Sequence, residues 1–198
     1  MPDLNENAFR ITAPCTTMEE SELVNEIRKG NDAAMYELVI RNQQAVARVL
    51  KAMLGDTPQA EDVGQETFIR FWSNIGAYRH EAKVSTYLTR IAINLAINES
   101  RRQKRRYEIE RPFDQRTNGY SQTTSQNGSH SIDDAEHLQT ALSQLESNQR
   151  AVIVLRMLHG YSTKETADLL GIPSGTVLSR LSRALDKLKI ILLKLDEV

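Results

Sequence analysis

The sequence of 198 residues predicts an all-α fold of two small helical domains joined by a flexible linker, the C-terminal one containing a helix-turn-helix. Three observations carry this expectation. Apolar residues recur at spacings of three and four, with no sustained strand alternation. Helix start and stop residues bracket those runs in order. One polar stretch, Tyr107–His137, contains NGYSQTTSQNGSHS and breaks the pattern. The expected divisions are a flexible tail at 1–17, a helical domain at 18–106, a flexible acidic linker at 107–137 and a second helical domain at 138–198.

Each element has a local reason. Thr17 with Glu20 reads as a capping box, and Leu23 and Ile27 line the first helix until Gly30. A second helix opens at Asn31 or Asp32, carries Met35, Leu38, Val39, Val46, Val49, Leu50 and Met53, and stops at Gly55. Thr57-Pro58 supplies an N-cap followed by a proline at the first helical position. The third helix shows an apolar face of Ala60, Val63, Phe68, Phe71 and Trp72, interrupted by Gly64 at a cost of about 1 kcal/mol relative to alanine. Its spacing from Phe68 assigns Trp72 to the core. After a loop at 74–84, a fourth helix starts near Ser85, with Leu88, Ile91, Ala92 and Leu95 as its inner stripe, and runs into RRQKRR. Beyond the polar stretch, Leu138, Leu142 and Leu145 resume the pattern. Ser147 is placed as the next cap, with Val152, Val154, Leu155 and Leu158 inside and Gly160 ending that helix.

Net charge is −1, but its distribution is uneven. Residues 83–106 carry seven bases against Glu99; residues 107–137 carry six acids against Arg111 and Arg116; residues 171–194 carry five bases against Asp186. Two basic patches around an acidic spacer point to two anion contacts on one partner. Cys15 is the single cysteine, which excludes an intrachain disulfide framework and a thiolate cluster. The first residues lack the charge and apolar core of a signal peptide, and no apolar run approaches the ~20 residues of a membrane span. A cytoplasmic setting without membrane insertion follows as the default expectation. The four histidines are dispersed, and no glycine-rich phosphate loop or nucleophile turn occurs, so neither an enzyme, a cofactor nor a metal site is expected.

The stretch YSTKETADLLGIPSGTVLSRLSRAL (161–185) concentrates the functional signal. Ser162 and Glu165 form a capping box, and Thr166, Leu169 and Leu170 anchor a short helix. Gly171 suits a left-handed turn, and Pro173 forces Ile172 extended. Val177, Leu181, Ala184 and Leu188 make one buried stripe, leaving Thr176, Leu178, Ser179, Arg180, Ser182, Arg183 and Lys187 outside. Such a face suits a major groove, where arginine donates two bonds to guanine, while Lys164 suits the phosphate backbone. A plain solvated helical hairpin would not need the cap, the turn glycine and the positive face together.

AEDVGQETFIRFW (60–72), STYLTRIAINLAINESRRQKRR (85–106) and the C-terminal stretch together closely resemble bacterial sigma factors of the extracytoplasmic-function type, which keep only the second and fourth conserved domains. The resemblance covers about 21–106 and 138–188. It implies that the protein directs RNA polymerase core to promoter DNA and opens it, under restraint by an anti-sigma protein. It implies core-polymerase contacts at Glu61, Asp62, Gln65, Glu66 and Phe68. It implies minus-ten contacts at Lys83, Ser85, Thr86, Tyr87, Arg90, Asn94, Asn98 and Arg101, with Tyr87 able to stack on an unpaired base. Minus-thirty-five contacts fall at Lys164, Ser174, Thr176, Leu178, Ser179, Arg180 and Arg183. The sequence departs from the family at His80, often glycine; at Val84, often aromatic; at Tyr87, often tryptophan; and at Leu178, often lysine. Pro173 replaces a capping serine, a role that Ser174 is placed to take over. The alternatives are a stand-alone helix-turn-helix regulator and a protein-interaction module. A second domain with a docking helix speaks against both.

Overall fold

A computed structural model describes residues 18–110 and 130–196. The described residues are helical with no strand, and they form two bundles that pack against each other. The front bundle comprises α1 (Glu20–Arg28), α2 (Asp32–Leu54), α3 (Pro58–Ser73), a 3-10 turn at Ile75–Ala77 and α4 (Val84–Glu110). The rear bundle comprises α5 (His130–Ser143), α6 (Ser147–Ile153), a wide turn at Val154–Leu158, α7 (Thr163–Leu170) and α8 (Ser174–Asp196). Because α4 runs on through Glu110 and α5 begins at His130, the stretch between helices narrows from the expected 107–137 to 111–129. Those residues, and the expected tail at 1–17, lie outside the described ones.

Caps decide where the front helices begin. Asn31 Oδ1 accepts from the Ala33 and Ala34 amides at 3.1 and 3.3 Å, and Thr57 Oγ1 accepts from Ala60 at 3.3 Å, as their side chains predict. α1 is capped instead at Glu19, whose amide donates to the Glu22 carboxylate at 3.3 Å; Thr17, the expected cap, is outside the described residues. The start of α4 is held from a distance. Its Val84 amide donates to Glu20 Oε1 at 2.8 Å, a cap supplied by another helix.

Packing revises three expectations about what lies inside. On α3, Phe71 is fully buried, but Trp72 is 52% exposed, so Trp72 is not core. One residue is a 100° step around a helix, and the face that meets α2 and α4 is centred on Thr67 and Phe71. On α4 the buried positions are Val84, Leu88, Ala92, Ile93, Ala96 and Ile97, while Ile91 and Leu95 sit at the rim. In the rear bundle Leu158 is 47% exposed rather than inside. There His159 N–H donates to the Val154 carbonyl at 3.1 Å, a bond spanning five residues, and the widened turn rotates Leu158 away from the face of Val154 and Leu155. Glu146 holds the N-cap position of α6, with Ser147 one place inside.

The two bundles share one apolar core. Ala151, Val154, Leu155 and Leu169 from the rear join Leu38, Val46, Leu50, Met53, Leu88 and Ala92 from the front. A second cluster joins Leu142 and Leu145 to Ala184, Leu188 and Ile191, and holds α5 on α8. At the rim of the joint, burial and then the nearby charge of Arg48 hold the His159 imidazole below its usual pKa. A base whose folded pKa is depressed favours the fold in its neutral form. That stability is fully present above the unfolded value near 6.5 and is lost as pH falls toward the folded value.

Two outcomes are expected. Gly64 meets only Leu50 Cδ1, at 3.5 Å from a Cβ placed there, an ordinary contact. Gly64→Ala is therefore expected to stabilise the protein by about 0.5–1 kcal/mol in urea unfolding, through helix propensity. For His159, the difference in melting temperature between wild type and His159→Gln is expected to shift against the wild type as pH falls below 6.5. A pH-independent difference would remove the imidazole from that account.

Candidate nucleic-acid and polymerase interfaces

Three exposed surfaces carry the residues that the sequence singles out. The first is α3. Glu61, Asp62 and Gln65 are exposed, whereas Glu66 is half-buried and accepts from Arg70 Nε at 2.7 Å, one turn on. Phe68 packs against the core, so it anchors this helix more than it faces outward. At 100° per residue, Ile69 and Trp72 fall on the same arc as Asp62 and Gln65, and both are more than half exposed. The surface is therefore acidic at one end and apolar at the other. The sequence reading missed Ile69 and Trp72 because periodicity alone placed the tryptophan inside.

The second surface is the outer face of α4 with the loop before it. Arg90, Asn94, Asn98 and Arg101 are all exposed at offsets of four, four and three, one continuous stripe. Asn94 also donates back to the Arg90 carbonyl at 2.8 Å, which fixes its amide on that stripe. Tyr87, Arg90, Asn94 and Asn98 line a cleft of about 320 Å³, together with Arg70 and Asn74 of α3, two residues not anticipated from sequence. The cleft has cations, amides and one aromatic ring, a combination able to hold a phosphate and an unstacked base. Lys83 is exposed at the helix entrance, with Ser85 and Thr86 half-buried behind it.

The loop before α4 is rigid at its base. Tyr78 is buried and stacks edge-on against Phe71 and Tyr87, with centroids 6.1 and 5.3 Å away. Tyr87 therefore has one edge in this aromatic cluster and its remaining surface on the cleft. Burial, and then the Glu20 charge, push the Tyr78 phenol above its usual pKa, so it stays protonated and donates to the Ala82 carbonyl. Arg28 donates to the carbonyls of Ile75 and Tyr78. His80 adopts φ 58°, the left-handed region where a side chain is unfavourable and glycine is at ease, which accounts physically for a glycine preference there. Val84 is fully buried, so its position serves packing and not the loop surface.

The third surface is the helix-turn-helix. Ser162 Oγ accepts from the Glu165 amide at 3.2 Å, and the Ser162 amide donates to the Glu165 carboxylate at 2.7 Å, completing the capping box. Gly171 turns the chain at φ 63°, and Ile172 N–H returns to the Ala167 carbonyl at 3.0 Å. Pro173 is itself at the head of α8: its carbonyl accepts from Thr176 and Val177 at 2.9 and 3.2 Å. Ser174 is thus the first helical residue and does not take over the cap. Val177 and Ala184 are fully buried, with Leu188 nearly so and Leu181 half-buried, as the stripe predicts. Lys164, Ser174, Leu178, Ser179 and Arg183 are exposed, and Thr176 and Arg180 half-exposed. Arg183 Nε donates to the Ser179 carbonyl at 3.1 Å, which orients its guanidinium along the outer face.

Comparison with known proteins separates the two bundles in the same way. Residues 38–106 match the family model of sigma-70 region 2, and residues 135–188 that of sigma-70 region 4. The ECF RNA polymerase sigma factor SigW of Bacillus subtilis is 31% identical over 174 residues, covering 84% of this chain and 92% of SigW. The chain belongs to the sigma-70 family, as an extracytoplasmic-function sigma factor. The ECF sigma-E factor of Haemophilus influenzae is also 31% identical, over 84% of this chain and 92% of that protein. In fold, the sigma factor resembles CnrH solved with the cytosolic domain of CnrY, with a TM-score of 0.61 at 24% identity over 87% of this chain and 96% of that one. It also resembles the sigma factor RpoE of Bartonella quintana solved with the anti-sigma factor NepR, with a TM-score of 0.60 at 24% identity over 81% and 97%. Among the described residues there is no metal-ligating cluster and no helix long and apolar enough to cross a membrane.

Proposed function

We propose that this sigma factor docks on RNA polymerase core through α3, reads the minus-thirty-five element with α8 and captures the opened non-template strand of the minus-ten element on α4. The single observation that supports this division most is that all three surfaces are exposed on separate helices while each helix keeps a buried face of its own. On α3, Asp62, Gln65, Ile69 and Trp72 present a carboxylate, an amide and apolar area together, a complement to a partner surface with basic and apolar parts. On α4, Arg90 and Arg101 track phosphates, Asn94 and Asn98 meet base edges, and Tyr87 offers a ring to an unstacked base. On α8, Arg180 and Arg183 meet base edges in the major groove, Ser174, Thr176 and Ser179 the bases or backbone, and Leu178 a thymine methyl. Lys164 at the head of α7 contacts phosphate.

The protein then performs no bond chemistry: polymerase makes the RNA, in the cytoplasm, and the sigma factor contributes binding energy and strand capture. An anti-sigma protein is the natural restraint on it. The likeness in fold to two sigma factors solved with such partners supports that reading.

Run-off transcription from a promoter library with bacterial core polymerase tests the whole reading. Initiation at defined starts is expected only when the protein is present. No initiation, with tight duplex binding in the absence of core, would instead favour a stand-alone regulator. Arg180→Ala and Arg183→Ala are each expected to weaken promoter-directed initiation by about 1–3 kcal/mol, and unchanged transcription in both would remove the base contacts. Asp62→Arg is expected to reduce core binding in a pull-down while circular dichroism stays native. Undiminished core affinity would count against α3 as the docking helix.

A further inference from the structure

The two DNA-reading surfaces face each other across one cleft. Asn94, Asn98 and Arg101 of α4 share a space of about 290 Å³ with Arg180 of α8 and Ile172 of the turn. Promoter elements named for positions minus ten and minus thirty-five lie about 25 base pairs apart, about 85 Å along the duplex at 3.4 Å per base pair. One arrangement cannot have these surfaces side by side and also set on both elements. A recognition helix needs a groove about 12 Å wide to itself, and here its neighbour is α4.

We propose that this closed arrangement is a self-inhibited state, in which the rear bundle is latched onto the front one through Arg150 and swings away before promoter DNA binds. The proposal rests on assigning α4 and α8 to the two promoter elements.

The latch has a buried centre and a polar rim. Arg150 of α6 is only 7% exposed; its guanidinium donates to the Met53 carbonyl at the end of α2 and to the Ser143 and Leu145 carbonyls after α5. Around it, Ala151, Val154, Leu155 and Leu169 fill the core shared with α2 and α4. At the rim, Lys104 Nζ meets Glu146 Oε1 at 2.9 Å, Arg101 Nη2 donates to Asn148 Oδ1 at 3.1 Å, and the Tyr161 hydroxyl donates to Thr89 Oγ1 at 3.3 Å. Arg101 is thereby engaged by the rear bundle at the place where it would meet DNA.

The closed state also contains the means of its release. Arg101 and Arg180 line the same cleft and no carboxylate lines it with them, so two like charges oppose closure there. Each gains a phosphate partner only when the bundles separate. Residues 111–129 between α4 and α5 reach at most about 65 Å when extended, enough to carry the rear bundle clear of the cleft.

The test is a removable lock on the full chain. In Cys15→Ser/Lys104→Cys/Glu146→Cys, a short cleavable thiol-to-thiol bridge is expected to form within one molecule. The bridged protein, added to core polymerase, is expected to give about tenfold less run-off RNA or lower than the same protein after reductive cleavage, because closure removes the open population. Capping both thiols with a monofunctional reagent is expected to leave the activity of the cleaved form. Failure of the intramolecular bridge to form, or equal transcription from bridged and cleaved protein, would overturn the latch. A second variant guards against damage from the cysteines: Tyr161→Phe/Glu146→Gln is expected to raise the affinity of the free protein for promoter duplex severalfold, and an unchanged affinity would also overturn it. If the wild type itself fails to initiate with core, the sigma reading falls, while bridge formation still reports closure.

Discussion

A guanidinium without a carboxylate at its centre organises the junction of the two bundles. Arg150 is buried, and carbonyl oxygens of Met53, Ser143 and Leu145 receive its protons. These carbonyls belong to the last turns of α2 and α5, where unpaired acceptors and the negative end of the helix dipole would otherwise be left in an apolar setting. One cation thus satisfies two helix ends from two parts of the chain. Its position fixes the turn between α5 and α6, and through that turn the angle at which α7 and α8 stand against α4. A neutral side chain of similar size could fill the space but would leave three acceptors to water that has no room there.

Polar choices and apolar periodicity contributed differently to what the sequence made legible. Short-range capping was readable because donor and acceptor are three residues apart: Asn31, Thr57 and the Ser162–Glu165 box are all found where their side chains placed them. The buried stripe of α8 was readable for the same reason, since its helix meets the rest of the protein on one side. Where a helix is packed from two directions, periodicity under-determined the centre of the buried arc. Phe68 and Trp72 share a spacing, yet Phe71 is the residue at the middle of the contact with α2 and α4. Leu158 was lost to a widened turn that has no composition cue of its own.

Contacts between distant segments were not legible at all. Nothing in the local sequence pairs Glu20 with Val84, Arg150 with Met53 or Tyr161 with Thr89. The candidate site residues were readable as residue types on exposed faces, but their neighbours were not. Arg70 and Asn74 enter the cleft of α4 only because α3 packs beside it, and Ile69 and Trp72 join the acidic face of α3 only once its buried side is known.

The first helix deserves its place in the fold for a reason unrelated to its size. Through Arg28 it holds the carbonyls of Ile75 and Tyr78, and through Glu20 it holds the Val84 amide, so both ends of the intervening loop are fastened to the same nine-residue rod. The exposed stretch between them, Arg79 to Lys83, hangs from fixed points like a replaceable bit in a chuck. Its side chains can diverge between relatives without disturbing the bundle that carries them. A lineage can in this way acquire new promoter vocabulary by changing five residues, and keep the machine that speaks it.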